Sequence, residues 1–229
     1  MSGTVSLLAQ IIPLAFGAAV SPTALMGIIL LLSISKKPKI SGMSYYAGSI
    51  LMVLIVLCVG FILGNGVSSE SPHPNPLLAA IDLILGVILL IMGIIRIFRP
   101  QKSPKHRFNG EHPDSSSLLV FLKGLSFGFV MFFINFSTTL IVLEAGKLIA
   151  TAAVPITGKV TVSVILILIT LLVCEVPLLI YFLLPGRSEK LLSKINVWMQ
   201  KNGHILMGLV ILAIGLYLIW IGSIKFGLI

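Results

Sequence analysis

The stretch GAAVSPTALMGI, residues 17–28, puts a serine, a proline and a threonine inside an apolar run that carries no charge from residue 4 to residue 35. Pro22 has no N–H to donate, so a helix running through it leaves the carbonyl of Ala18 without its usual partner. Lipid offers no replacement. Freed backbone at membrane depth is tolerated only where protein or a water-filled cavity satisfies it. The stretch therefore reads as a break in a membrane-spanning helix, with Ser21, Pro22 and Thr23 facing whatever meets that break.

The membrane reading rests on the whole chain. Of 229 residues, 57% are hydrophobic and 10% charged, with mean hydropathy +1.13; a soluble domain carries about a quarter charged residues. Residues 40–69 and 202–224 are further uncharged runs, each longer than the ~20 residues that cross a hydrocarbon core. The N-terminal run lacks a basic n-region and is too long for the apolar core of a secretory signal, so it is expected to be a retained first helix. Cys58 and Cys174 lie in apolar runs, and no CxxC or Cys/His cluster suggests zinc. His106 and His112 make a weak case for metal, and no metal or cofactor is expected.

Six segments emerge, at about 5–33, 41–64, 77–98, 118–148, 158–184 and 203–224. Thirteen of the sixteen Lys and Arg residues flank the connections after spans one, three and five, and only Lys147, Lys159 and Lys225 lie on the other side. The positive-inside rule then puts both termini outside a cell membrane. It also explains the net charge of +9 as topology, with no nucleic-acid partner expected. The polar stretch 99–117 reads as a cytoplasmic linker. In SEKLLSKINVWMQK, Leu191, Leu192, Ile195, Trp198 and Met199 form one apolar face. That face suits either a short helix on the inner leaflet or one packed beneath the bundle.

The last spans of the two halves share a pattern. Gly86, Gly93 and Arg96 are spaced as Gly215, Gly222 and Lys225 are. The first spans match as well, since Ser21-Pro22-Thr23 has a counterpart in Asn135 with Ser137-Thr138-Thr139. Two three-span units of this kind must be mutually inverted, a plan common among secondary transporters. The expected fold is an all-α integral membrane domain of six spans in two inverted three-helix repeats, about 1–98 and 118–229, with helices one and four broken or kinked. Span four, 31 residues from Leu118 to Leu148, would be about 46 Å if straight, and its natural break is Asn135.

Broken helices in such a plan form the substrate site, so Ser21, Pro22, Thr23, Asn135, Ser137 and Thr138 are the candidate cargo-binding residues, lining a midplane cavity. Glu175, two residues before the helix-breaking Pro177, sits in an otherwise uncharged run over 160–186. An acid at that depth marks an ion or substrate path by default, and Glu175 is the candidate ion-coupling group. A structural pair with Lys147 or Lys159 is the alternative. Asp82 and Glu144 are expected at the outer interface and Lys123 at the inner one. Gly48, Gly60, Gly64, Gly86 and Gly93 suit close helix contacts, within one chain or in a homo-oligomer.

The stretches PLAFGAAVSPTALMGIILLLS, KGLSFGFVMFFINFSTTLIVLEAG and EVPLLIYFLLPGRSEKLLSKINVWMQKNGHILMGLVILAIGLYLIWIG resemble the lysine-exporter (LysE) superfamily. More specifically, they resemble its GAP/Sap branch, the glycolipid- or sulfolipid-addressing proteins. The third stretch is the most specific, with Arg187, Trp198 and Asn202 matching the family's pattern. Family members often have Asn-Pro in span four, where this chain has Asn135-Phe136. Thiol-electron transporters of the cytochrome-biogenesis (CcdA) type resemble span one, but they carry cysteine where this chain has Thr23, and span four lacks cysteine too. The resemblance implies a non-enzymatic exporter of lipid-linked or small amphipathic cargo, working by alternating access among membrane lipids. Amino acids or metal ions are the superfamily's other cargoes. The rival functions are a scaffold for envelope lipid export and, further off, a thiol-electron carrier through Cys58 and Cys174.

Overall fold

The computed structural model describes residues 2–67, 76–98, 116–184 and 188–226. The linker with His106 and His112, Arg187 of the P-x-R turn and the Lys225 side chain lie outside the described residues. Eight helices follow in order: α1 Ser2–Ala19, α2 Pro22–Ile34, α3 Pro38–Val67, α4 Pro76–Phe98, α5 Ser117–Ile134, α6 Phe136–Thr151, α7 Ile156–Leu183 and α8 Ser188–Phe226. Among the described residues no strand occurs. Among the described residues five helices are long and apolar enough to cross a membrane alone, and the α1–α2 pair, bent by 53°, adds a sixth if it is counted as one span. The chain is a multi-pass, all-α membrane protein.

Both expected breaks are present, and each has a local cause. Ser21 is extended, with φ −131° and ψ 93°, and its Oγ accepts the Ala24 N–H at 3.2 Å. Pro22 takes the first helical position of α2, where its fixed φ suits the helix and its missing N–H leaves no donor unpaired. Ser-Pro-Thr thus ends α1 and starts α2 as an N-cap. In span four, Asn135 adopts φ −77° and ψ 71°, ending α5 and opening α6. Thr139 then bridges the gap, its hydroxyl lying 3.3 Å from the Asn135 carbonyl and 3.4 Å from that of Phe132.

Glycines set the packing. A Cβ on Gly48 would run into the Leu125 carbonyl, and one on Gly128 into that of Tyr45. Further along, Gly60 meets Leu143 and Gly146, and Gly64 meets Lys147 and Ala150. Partner numbers rise together along both chains, so α5 and α6 in succession run parallel to the single unbroken α3. They therefore make one crossing broken at Asn135. The α4–α8 pair runs the other way. A Cβ on Gly86 would lie 3.0 Å from the Gly215 carbonyl, and one on Gly93 3.0 Å from that of Gly208. The glycines singled out in the sequence make these contacts within the chain.

The final span differs from expectation. Residues 188–226 form one continuous helix of 39 residues, about 58 Å long, with no separate amphipathic helix before it. Leu192 is buried in its first turns, and Ile195 and Met199 pack against the core, while Leu191 and Trp198 are exposed. The packed-beneath reading describes this segment.

Candidate functional site

The two breaks meet. Asn135 Nδ2 donates to Ser21 Oγ across the chain halves and to Thr138 Oγ1 at 2.7 Å. Thr138 Oγ1 in turn donates to the Ala18 carbonyl at 3.0 Å. That is the carbonyl orphaned by Pro22, and the second break supplies its missing donor. Ser137 Oγ donates to Asn135 Oδ1 at 3.1 Å, and Thr23 Oγ1 lies 3.4 Å from Ser21 Oγ. Ser21, Asn135, Ser137 and Thr138 are each at most 2% exposed, and Thr23 is half-buried. The six nominated residues are therefore brought together, with Pro22 buried behind the cap.

They form a bonded plug. The space beside it, bounded by Met52, Val56, Phe132, Thr138 and Val142, is about 10 Å³, near the least that holds one water. Here the polar groups of the two breaks satisfy one another and do not line an open space. Tyr45 adds a lock from α3. Fully buried, it donates its hydroxyl to the Ala24 carbonyl at 2.9 Å and fixes the first turn of α2. Sequence reasoning missed Tyr45, although a tyrosine in an apolar span announces a hydroxyl that needs a partner.

Glu175 is half-buried and accepts the Tyr46 hydroxyl at 2.7 Å. Neither expected lysine pairs with it. Lys147 is engaged elsewhere, and Lys159 donates to the Ala150 carbonyl. Pro177, one turn on from Cys174, is buried and does not end α7, which continues to Leu183. Continuity of α7 corrects the nomination of Pro177 as a helix break: the neighbouring helices hold the turn around it.

Asp82 and Glu144 are not interfacial. Both are fully buried, and Lys147 pairs with Asp82 and, at 2.8 Å, with Glu144. Their positions near helix ends suggested an interface, but α4 and α6 turn these faces inward. A signal existed in the Glu144–Lys147 spacing of three, which places opposite charges on one helical face. Cys58 faces outward and Cys174 is buried in the core, both as free thiols. Among the described residues no group of His, Cys, Asp and Glu has the makings of a metal site.

With this geometry in hand, the comparisons with known proteins add one finding. The family model described as Sap, sulfolipid-1-addressing protein, matches residues 11–223. No curated protein and no solved structure matches the chain.

Proposed function

The chain belongs to the Sap, sulfolipid-1-addressing protein, family, and from that premise we propose that it is a secondary transporter that exports a lipid bearing an anionic head group. The observation that carries this reading is the meeting of the two breaks. Helices α2 and α6 both begin at these breaks, beside one another, at Pro22 and Phe136. Helix N-termini carry partial positive charge and free N–H groups, which favour an anion such as a sulfate. The hydroxyls of Ser21, Thr23, Ser137 and Thr138 and the Asn135 amide supply further hydrogen bonds once the plug opens.

In this reading the chain is one membrane domain of two inverted three-helix units, about 1–98 and 118–229, with both termini outside the cell membrane. Opening means exchanging the Asn135–Ser21 and Thr138–Ala18 bonds for bonds to cargo, the alternating access of inverted-repeat transporters. Glu175, held by Tyr46 on the side of the basic connections, is the acid that meets a coupling proton there.

The test is transfer of a fluorescent sulfated lipid between leaflets of liposomes containing this protein alone. Transfer above protein-free liposomes is expected, with at least a tenfold loss in Asn135→Ala and Ser21→Ala. Absence of transfer by the unmodified protein would overturn the transporter and favour a scaffold for lipid export.

A further inference from the structure

Helix α1 contains a proline of its own. Pro13 has no N–H, so the carbonyl of Ala9 loses its intrahelical donor. Ala18 is in the same position and is answered by Thr138, but no side chain among the described residues donates to Ala9. Ala9 and Pro13 both line a half-open, mostly apolar groove of about 480 Å³ between α1 and α8. Three polar side chains reach the same groove, Ser6 and Gln10 from α1 and Tyr217 from α8. None of the three makes a hydrogen bond among the described residues.

The groove closes at Gly17. A Cβ there would run into Ile214 and lie 3.0 Å from Val210 Cγ1, while Gly203 meets Pro22. Partner numbers fall along α8 as they rise along α1 and α2, so the two run antiparallel. Tyr217 therefore lies on the Ser6–Gln10 side of the closure, and the polar groups gather at the end nearer the α1 N-terminus. The other end, walled by Leu14, Val210 and Ile214, is apolar.

Shape and setting decide what fits. Ser6 to Leu14 covers about 12 Å of helix rise, so a volume of about 480 Å³ gives a mean cross-section of about 40 Å² and a width of about 7 Å. A helix with its side chains is about 10–12 Å across and is too wide; one hydrocarbon chain is not. Around the groove the surface continues as exposed apolar side chains, Val5 and Phe16 of α1 and Leu216 and Trp220 of α8. The groove is thus an indentation in the face turned to lipid, and the bilayer supplies its occupant. None of the described lining residues is charged, so an ionic head finds no counter-charge there. The Ala9 carbonyl can only accept, and at membrane depth it needs a donor. A hydroxyl on the lipid provides one.

We propose that the α1–α8 groove binds one chain of a lipid whose polar end carries hydroxyl groups. The chain lies along Pro13, Leu14 and Ile214 with its tip toward Gly17, and the hydroxyl-bearing end meets the Ala9 carbonyl, Ser6, Gln10 and Tyr217. The site is separate from the two breaks and does not rest on the transporter reading.

Photolabelling in lipid nanodiscs tests it. The probes are a monoacylglycerol with a diazirine at the end of its chain and its dimethyl ether, in which both hydroxyls are blocked. Saturable labelling of residues 13–17 and 210–214 by the monoacylglycerol is expected. Ala213→Trp and Ala9→Trp fill the groove from opposite walls, and each should cut that labelling about tenfold while helicity and elution stay unchanged. Should one of them misfold, the other carries the same test. Two hydrogen bonds at about threefold each imply a preference of about tenfold for the monoacylglycerol over its ether. Pro13→Ala returns a donor to the Ala9 carbonyl and should lower that preference about threefold. Labelling that does not saturate, or that is unchanged in the tryptophan variants, overturns the site. Equal labelling by the ether overturns the hydroxyl recognition, and cross-links between two copies through the groove would assign it to self-association instead.

Discussion

Thr138→Val probes the join between the two breaks most directly. Valine matches threonine in shape but loses the donation to the Ala18 carbonyl and the acceptance from Asn135 Nδ2. Asn135 keeps Ser21 as a partner, so losing its second acceptor costs about 0.6 kcal/mol, the average for a hydrogen bond between membrane helices. The Ala18 carbonyl has no fallback because Pro22 removed its intrahelical donor, and an unsatisfied buried carbonyl costs about 1–3 kcal/mol. The total is about 1.6–3.6 kcal/mol, large for so conservative a change. Pro22→Ala restores an N–H four residues after Ala18. In that background Thr138→Val should cost only about 0.6 kcal/mol, giving a coupling of about 1–3 kcal/mol between positions 22 and 138. Equilibrium unfolding of the four proteins in mixed detergent, followed by helicity, measures the cycle. Additivity of the two changes within about 0.5 kcal/mol would show that the Ala18 carbonyl is not what links them, and the account of the break would fail.

Gly48→Ala should destabilise by about 1–3 kcal/mol, because the added carbon collides with the Leu125 carbonyl of a neighbouring backbone; Gly158→Ala, meeting side-chain atoms only, the Thr4 hydroxyl at 3.0 Å and the Val154 Cβ at 3.7 Å, should change the unfolding midpoint less. Glu175→Gln should abolish the pH dependence of lipid transfer while leaving transfer itself measurable, and an unchanged pH profile would remove Glu175 from the coupling role. Cys58→Ala and Cys174→Ala should both retain transfer activity, and a hydrophobic maleimide should label Cys58 far faster than Cys174; loss of activity in either alanine variant would instead favour a thiol relay.

Both helix breaks were legible before any coordinates, for a simple reason. Proline chemistry and the thickness of the bilayer act locally, so Ser21-Pro22 and the excess length around Asn135 declare themselves in the primary sequence. Even the stranded carbonyl of Ala18 could be named. That Thr138 would answer it depends on the antiparallel meeting of two spans more than a hundred residues apart, which no local rule encodes. The charged residues failed differently. Distance from a helix end measures depth, and by depth Asp82 and Glu144 belong near an interface. What decides their environment is rotation about the helix axis, and here the faces turn toward one another around Lys147. Pro177 shows the reverse limit, since a residue that disfavours helix is overridden by packing on every side. The 39 residues of α8 were split in the sequence reading because its charges cluster at one end, yet charge patterning does not interrupt backbone hydrogen bonding.

The two breaks look equivalent in sequence, but their mechanical settings are unlike. Helix α3 lies along both α5 and α6 like a splint, tied to them by carbonyl contacts at Gly48, Gly60 and Gly64. A fracture held in a splint cannot flex, so Asn135 is a fixed notch in a stiff post. The α1–α2 elbow, already turned through 53°, meets the unbroken α7 mainly along its first arm and less along its second. Its first arm lies along α7 and α6, whereas its second is shared among α3, α5, α7 and α8. In the transporter reading, of two joints that share a single set of hydrogen bonds, Asn135 serves as the anchor and the α1–α2 elbow as the limb expected to move. An opening of the kind proposed would then turn at Ser21-Pro22, with Asn135 as the stop against which it closes.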